Sequence, residues 1–415
     1  MDKNNLQTLK GFRDFLPEEA KKRQYLVDKL KGIFENFGFD PLETPAIEYK
    51  EILLGKSGEE TDKLMYSFKD QGERDVALKY DQTVPTARVL ATYSQELPMP
   101  FRRYQIQTVW RADKPQSGRY REFLQCDADI YGSASSLADA EVISLSYFVY
   151  KSLGFNNFKI YLNDRKTLFE LMNLAAIPEN LHMPTISMVD KLDRKSQDEV
   201  KSDLINIGLT ESMTDHLFHH LDEAKPSAKI SEIIKYAIAL GVKKESLIFQ
   251  ARLARGLDYY TSTIFEIKIE EYKSGSVLGG GRYDALIERL SGINIPAVGF
   301  AVGFDRTLEA MDLMKLFPKK DVRSGLLVSV FNPNLVETSI SVVSNLRDNG
   351  IPAELFVDDT KDLRKQIKYA DKKKVRWLVV IGPDEVDANS VILKDLESGY
   401  QEVVKLKDLI KKLKK

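Results

Sequence analysis

Apolar and polar positions along this chain change spacing several times, and each change predicts a different element. From Pro17 to Phe37 the apolar residues recur at helical spacing, which predicts an amphipathic helix closed by Gly38. The next stretch, Phe39 to Ile47, carries Pro41 and Pro45 and reads as an extended arm or edge strand, because Pro45 cannot donate to a ladder. Between Phe101 and Gly132 the pattern predicts a hairpin: a strand from Arg103 to Arg111, a loop holding Pro115 and Gly118, and a strand from Arg121 to Tyr131. Residues from about Asp164 to Phe249 are mostly helical in pattern, with turns at Pro178, Pro184 and Pro226, and read as a helical insertion. From Ile264 the chain alternates, with Phe265, Ile267 and Ile269 on one face and Glu266, Lys268 and Glu270 on the other, the signature of a half-buried strand.

A polar linker from Lys319 to Ser324 announces a separate domain. There the short apolar runs Leu326 to Phe331, Ala353 to Val357 and Trp377 to Ile381 alternate with helical segments Leu335 to Asn349 and Asp362 to Lys373. That alternation predicts βαβ units and a parallel sheet.

Composition narrows the class. The 415 residues predict about two to four domains. Charged residues make up 30% against 43% hydrophobic, and no apolar run approaches the ~18 residues of a membrane span, so no membrane association is expected. The opening MDKNNLQTLKGFRDFLP resembles neither a secretory signal nor a transit peptide, which makes a cytoplasmic location the expectation. The single cysteine, Cys126, excludes internal disulfides and sits in an alternating strand pattern, where a structural role is expected. Net charge is −1, so any nucleic-acid contact must come from local basic patches. The last domain, from Val322, has 17 Lys and Arg against 14 Asp and Glu, by itself a weak sign of RNA binding.

Candidate chemistry gathers in three segments. The first is the hairpin, whose loop is cationic: from Arg102 to Arg121 there are six basic residues and one acid, Asp113. Arg111, Arg119 and Arg121 flank the tip as a phosphate clamp would require, unless they form an ordinary solvated basic hairpin. On the returning strand Phe123, Gln125, Asp127 and Asp129 share a face by the period of two, which suggests a pocket for a cationic or imidazole group beside the phosphate end. Asp81 and Thr83, just before Pro85, add a second acid and a hydroxyl, although Asp81 is equally suited to a turn or helix cap.

The second segment is LARGLDYYTSTIFEI, where Arg255, Asp258, Tyr259 and Tyr260 run directly into the strand; Gly256 would free Arg255 to aim at a ligand. The third runs from Leu278 to Met311, where Gly279, Gly280 and Gly281 precede Arg282, Tyr283 and Asp284. There Arg306 occupies the first turn of a helix, a position the dipole does not favour for a cation. His216 and His220 have metal-ligand spacing, but with no cysteine or third histidine to complete a site they are read as structural, and no protein metal site is expected.

Together these segments resemble the three signature motifs of class II aminoacyl-tRNA synthetases, and specifically the histidyl-tRNA synthetase family, over nearly the whole chain. GFRDFLP and the stretch around Pro45 look like the family's opening and motif 1. FRRYQIQTVWRADKPQSGRYREFLQCDADIYG looks like motif 2, and GGGRYD through GFDRTLEAM like motif 3. RGLDYYT is similar to the family's histidine loop. The resemblance implies an α+β fold: an antiparallel catalytic sheet (1–163 and 250–318) interrupted by a helical insertion (164–249), and a C-terminal α/β anticodon-binding domain (325–415). It also implies a homodimer acting on L-histidine, ATP with Mg²⁺, and tRNA(His).

The resemblance further implies that Arg111 holds the ATP α-phosphate, with Arg119 and Arg121 nearby. Phe123 and Arg306 would sandwich the adenine. Asp81, Thr83 and Gln125 would hold the histidine amino group, Asp129 and Tyr260 with Tyr259 would read the imidazole, and Arg255 would stabilise charge at the α-phosphate. Two positions depart from the family pattern, Asp113 and Asp305, where glutamate is more usual; each shortens a carboxylate near the ATP end. The competing reading is a catalytically silent paralogue that senses histidine and regulates a biosynthetic enzyme.

Overall fold

The computed structural model describes residues 6–54, 62–114, 120–193, 195–255, 259–318 and 325–414. The chain separates into two compact units, Met1–Leu316 and Phe317–Lys415.

The first unit opens with the helix Pro17–Asn36. Proline in its first turn and Glu18 and Glu19 near its positive end favour initiation there, and Gly38 at φ +71° turns the chain away after the cap. Leu26, Leu30 and Phe34 form its buried stripe, and Phe34 packs against Tyr104 and Phe300 of the sheet at ring distances of 5.4 and 6.2 Å.

The strands of this unit are β1 (Asp40–Pro41), β2 (Ile47–Tyr49), β3 (Ser67–Lys69), β4 (Asp75–Leu78), β5 (Phe101–Trp110) and β6 (Glu122–Tyr131). They continue as β7 (Phe158–Asp164), β8 (Leu247–Phe249), β9 (Thr263–Ile269), β10 (Leu278–Arg282) and β11 (Ala297–Val302). Eight of them form one sheet in the order β1-β5-β6-β11-β10-β9-β7-β8, and β2, β4 and β3 form a second, smaller sheet. The large sheet is antiparallel through its centre, as the motif resemblance implied. Its two outer pairs, β1 with β5 and β7 with β8, are parallel.

The second parallel pair follows from connectivity, because among the described residues five α-helices between Arg165 and Ala239 intervene before the chain returns beside β7. Four of those helices start on side-chain caps, from Asp164, Ser196, Thr210 and Ser227, and Ser196 with Glu199 forms a reciprocal capping box. Their apolar faces, including Leu204, Leu217 and Phe218, share a core with Ala254, Tyr260 and Ile264.

One expectation needs revision. Strand β9 is buried on both faces, and Glu266, expected to face outward, is 5% exposed. A positive φ does occur in the second chemical segment, but on Arg255 itself, at +43°; Gly256 and Asp258 lie outside the described residues.

The second unit holds β12 (Leu326–Val328), β13 (Ala353–Leu355), β14 (Trp377–Val380), β15 (Ser390–Asp395) and β16 (Gln401–Lys405) in the order β13-β12-β14-β15-β16. Its first three strands are parallel, with the helices Val336–Asp348 and Leu363–Lys373 as crossovers, as the alternation predicted. The last two are antiparallel. The connections that precede them are too short for a crossover, and Gly399 at φ +76° closes a tight hairpin instead.

Candidate active site

A cavity of about 530 Å³ lies in the first unit, over the strands β6, β11 and β10. Asp81, Thr83, Arg111, Phe123, Gln125 and Asp129 line it, as do Arg255, Tyr259, Tyr260 and Arg306. Arg121 does not: its Nε donates to the Asp113 carbonyl at 3.0 Å and its backbone N–H to Gly11 at 2.9 Å, so the clamp expected of it is directed elsewhere. Arg119 lies outside the described residues.

The period of two along β6 sets the layout, since Phe123, Gln125, Asp127 and Asp129 all face the cavity and span about 20 Å of strand. Opposite them the sheet presents glycines. Gly299 pairs with Asp129, and a Cβ there would overlap the Asp129 carboxylate. A Cβ on Gly279 would overlap the Arg255 guanidinium, and one on Gly281 would stand 2.7 Å from the Tyr260 ring. The glycine-rich strand is therefore a floor whose missing side chains are replaced by functional groups from other elements.

One end is cationic. Arg111 donates from Nε to the Tyr80 carbonyl at 3.0 Å, with its guanidinium 5.1 Å from the centroid of Phe123. Arg306 follows the end of β11, where its Nη1 is held by the Ser276 carbonyl at 2.8 Å. Asp113 and Asp305 line this end too, but Asp305 is already engaged by Arg13 at 3.0 Å and Arg23 at 2.8 Å.

Arg255 stands toward the middle, its guanidinium 5.9 Å from the Tyr260 ring and 3.9 Å from the Glu266 carboxylate, which Lys268 also meets at 2.9 Å. Burial works against the Arg255 charge, but Tyr260 and Glu266 outweigh it, and the net shift of its pKa is upward.

The other end is acidic and buried. Arg103, completely buried, is the cross-strand partner of Asp129 and meets its Oδ2 at 2.8 Å, while the Tyr283 hydroxyl donates to Asp129 Oδ1. Burial raises the pKa values of Asp81 and Asp129 above the carboxylate range, against the pull of Arg103 on both and of Arg111 on Asp81. Asp81 also accepts from the Val84 backbone N–H at 3.3 Å, so its cap and cavity positions coincide. The Tyr259 and Tyr260 rings lie 4.6 Å apart at a tilt of 49°, and Tyr259 meets Tyr283 edge-on. Among the described residues Gln125 Oε1, Asp127 Oδ1 and Arg255 Nε are buried without a hydrogen-bond partner, an arrangement that costs stability unless a ligand meets it.

Arg103, Tyr283 and Glu266 were not singled out from sequence. The Arg103–Asp129 pairing follows once the hairpin register is drawn, whereas nothing local marks Tyr283 or Glu266.

Asp127 gives a test in the free protein. Burial, with Asp129 adding to it and Arg103 opposing, pushes its pKa from 3.8 up to about 7. A raised acid binds more protons folded than unfolded, so its stabilising contribution is complete below 3.8 and is lost as pH rises through about 7. Melting curves should therefore show Asp127→Asn gaining on the parent chain across that window. Parallel curves would contradict the assignment.

The family model for histidyl-tRNA synthetase matches residues 11–307, and that for an anticodon binding domain matches residues 326–415. The histidine–tRNA ligase of Gloeobacter violaceus is 39% identical over 97% of both chains, and that of Cytophaga hutchinsonii 36% identical over 97% of this chain and 98% of its own. Among solved structures, the histidyl-tRNA synthetase from Nostoc sp. PCC 7120 superposes with a TM-score of 0.86, 29% identity and 99% of each chain covered. A Bacillus halodurans protein described as an ATP phosphoribosyltransferase regulatory subunit/histidyl-tRNA synthetase shares the fold at TM-score 0.74 and 21% identity, covering 91% of this chain and 98% of its own. The match of a single family model to most of the first unit, together with relatives that align from end to end, establishes that the chain belongs to the histidyl-tRNA synthetase family.

Proposed function

We propose that this protein activates L-histidine with ATP, forming histidyl-adenylate and pyrophosphate, and then transfers the histidyl group to tRNA(His) with release of AMP. The observation that carries the reading is one cavity with buried carboxylates at one end and arginines at the other, joined along β6. The acidic end suits an α-ammonium group on Asp81, Thr83 and Gln125, and an imidazole between Asp129, Tyr259 and Tyr260. Arg111 would hold the α-phosphate, and Phe123 and Arg306 the adenine, with Arg306 also reaching the γ-phosphate.

Arg255, between the two ends, would face the α-phosphorus as the histidine carboxylate attacks it and pyrophosphate leaves. Positioning and fixed cations then supply the rate, with no covalent enzyme intermediate. The donor set accommodates a Mg²⁺ ion carried in on the nucleotide, since Asp113 faces this end while Asp305 is occupied by arginines. When bound, the ion neutralises phosphate charge.

The reading divides the chain into catalytic segments 1–163 and 250–318, a helical insertion 164–249 and an anticodon-binding domain 325–415 that meets tRNA(His). It includes a cytoplasmic homodimer packed near the segment Phe39 to Ile47, beside which Ile47 and Tyr49 are exposed at the smaller sheet. Among the described residues no helix is long and apolar enough to cross a membrane. The regulatory-paralogue alternative has less support, because Arg111, Arg255 and Arg306 all line the cavity and the second unit matches an anticodon-binding model.

The test is histidine-dependent exchange of pyrophosphate into ATP without tRNA, with proline, glycine and threonine as controls. Exchange with histidine alone is expected. Histidine binding without exchange would favour the regulatory alternative.

A further inference from the structure

The GFRDFLP opening lies outside the cavity, yet it touches two of the cavity's walls. Gly11, at φ +92°, accepts the Arg121 backbone N–H at 2.9 Å, and the Arg121 side chain packs so closely on it that a Cβ would stand 2.8 Å from Cγ. The same Arg121 donates from Nη1 to the Lys10 carbonyl at 3.4 Å and from Nε to the Asp113 carbonyl at 3.0 Å. Two residues on, Arg13 lays its guanidinium 3.1 Å from the centroid of the Tyr120 ring and 4.9 Å from that of Phe15, while Nη2 donates to Asp305 Oδ1 at 3.0 Å. Arg23 reaches the same carboxylate oxygen at 2.8 Å and covers Phe15 from 3.9 Å.

Tyr120 and Asp305 both line the cavity, on different elements: Tyr120 leads into β6, and Asp305 sits one residue before Arg306 on the helix Phe304–Leu313. Arg13 does not line the cavity. A planar, permanently charged side chain that stacks on one wall and pairs with the other fixes the distance between them, which lysine could not do as well. We propose that Arg13, held in place by the Gly11–Arg121 contact, is a positioning residue that clamps the two walls of the cationic end and so presents Arg306 to ATP.

The clamp rests on the reading of that end as the nucleotide site. It also gives the shortened carboxylate at Asp305 a function, because that group is committed to two arginines of the opening segment and helix. The carboxylates at the other end are not part of it.

The experiment measures pyrophosphate exchange in the full chain against ATP and histidine separately, with histidine affinity read by calorimetry in the absence of ATP. Arg13→Ala should raise the KM for ATP about tenfold, equivalent to about 1.4 kcal/mol, and leave the histidine Kd within about twofold. Arg13→Lys, which keeps the charge and loses the stack, should fall between the two. Gly11→Ala alters no charge but displaces the segment from Arg121, and should reproduce the ATP-specific loss; if Arg13→Ala does not fold, the other two variants carry the test. An unchanged ATP KM in the folded variants, or equal losses toward ATP and histidine, overturns the clamp. Absence of histidine-dependent exchange in the parent chain would instead overturn the functional reading on which it stands.

Discussion

Replacing Arg255 with alanine is expected to lower histidine-dependent pyrophosphate exchange by about 10³-fold, within the range found when a cation aimed at a transferring phosphoryl group is removed. The expectation comes from where the charge stands. The guanidinium lies against Gly279, which leaves room for it, and it is held half-buried between Glu266 and the Tyr260 ring. The residue also adopts a positive φ, a conformation that costs a non-glycine residue about 1–3 kcal/mol and persists where surrounding structure compensates it. Alanine inherits the same strain, so the variant gains no stability from the backbone to offset its loss. Histidine binding should change little, because the carboxylates of the acidic end are untouched. An equal fall in exchange rate and histidine affinity would remove Arg255 from the chemical step.

Asp129→Ala should show the reverse. Histidine affinity is expected to fall by about 10²- to 10³-fold, as for loss of one partner in a buried charged contact, while the KM for ATP stays near its original value. The fold should also suffer, because Arg103 is completely buried and Asp129 is foremost among the groups that hold its charge against burial. Leaving such a cation uncompensated costs about 3–5 kcal/mol, which a urea melt would register. Asp129→Asn, which preserves size and one acceptor, should recover part of the stability and less of the affinity. Histidine binding that survives in a folded Asp129→Ala chain would place the imidazole elsewhere.

The hairpin β5–β6 and the cavity-facing side of β6 were legible because alternation over ten residues fixes both strand and face. Arg103 was not, since in FRRYQIQTVW a buried arginine looks like any surface base until the cross-strand register sets it opposite Asp129. Glu266 misled for a related reason. Alternation predicts an exposed polar face only where water covers it, and here Glu266 is buried with Arg255 3.9 Å and Lys268 2.9 Å from its carboxylate. Arg121 was placed near the phosphates by sequence proximity, while backbone contacts with the first residues of the chain turn it away. In the second unit the parallel strands were read from their helical crossovers, whereas β15 and β16 have no long crossover helix and were not read as strands, although their short connections make them antiparallel.

The glycine floor has a consequence for redesign. On the proposed function the amino acid lies over this floor; enlarging such a site ordinarily means trimming the residues beneath the substrate, but at Gly279, Gly281 and Gly299 nothing remains to trim. A bulkier analogue of the substrate would have to be admitted from the aromatic side, through Tyr259, Tyr260 or Tyr283, and shortening Tyr283 would also remove the hydroxyl that secures Asp129. In this fold, widening the site and disturbing its recognition chemistry are the same operation.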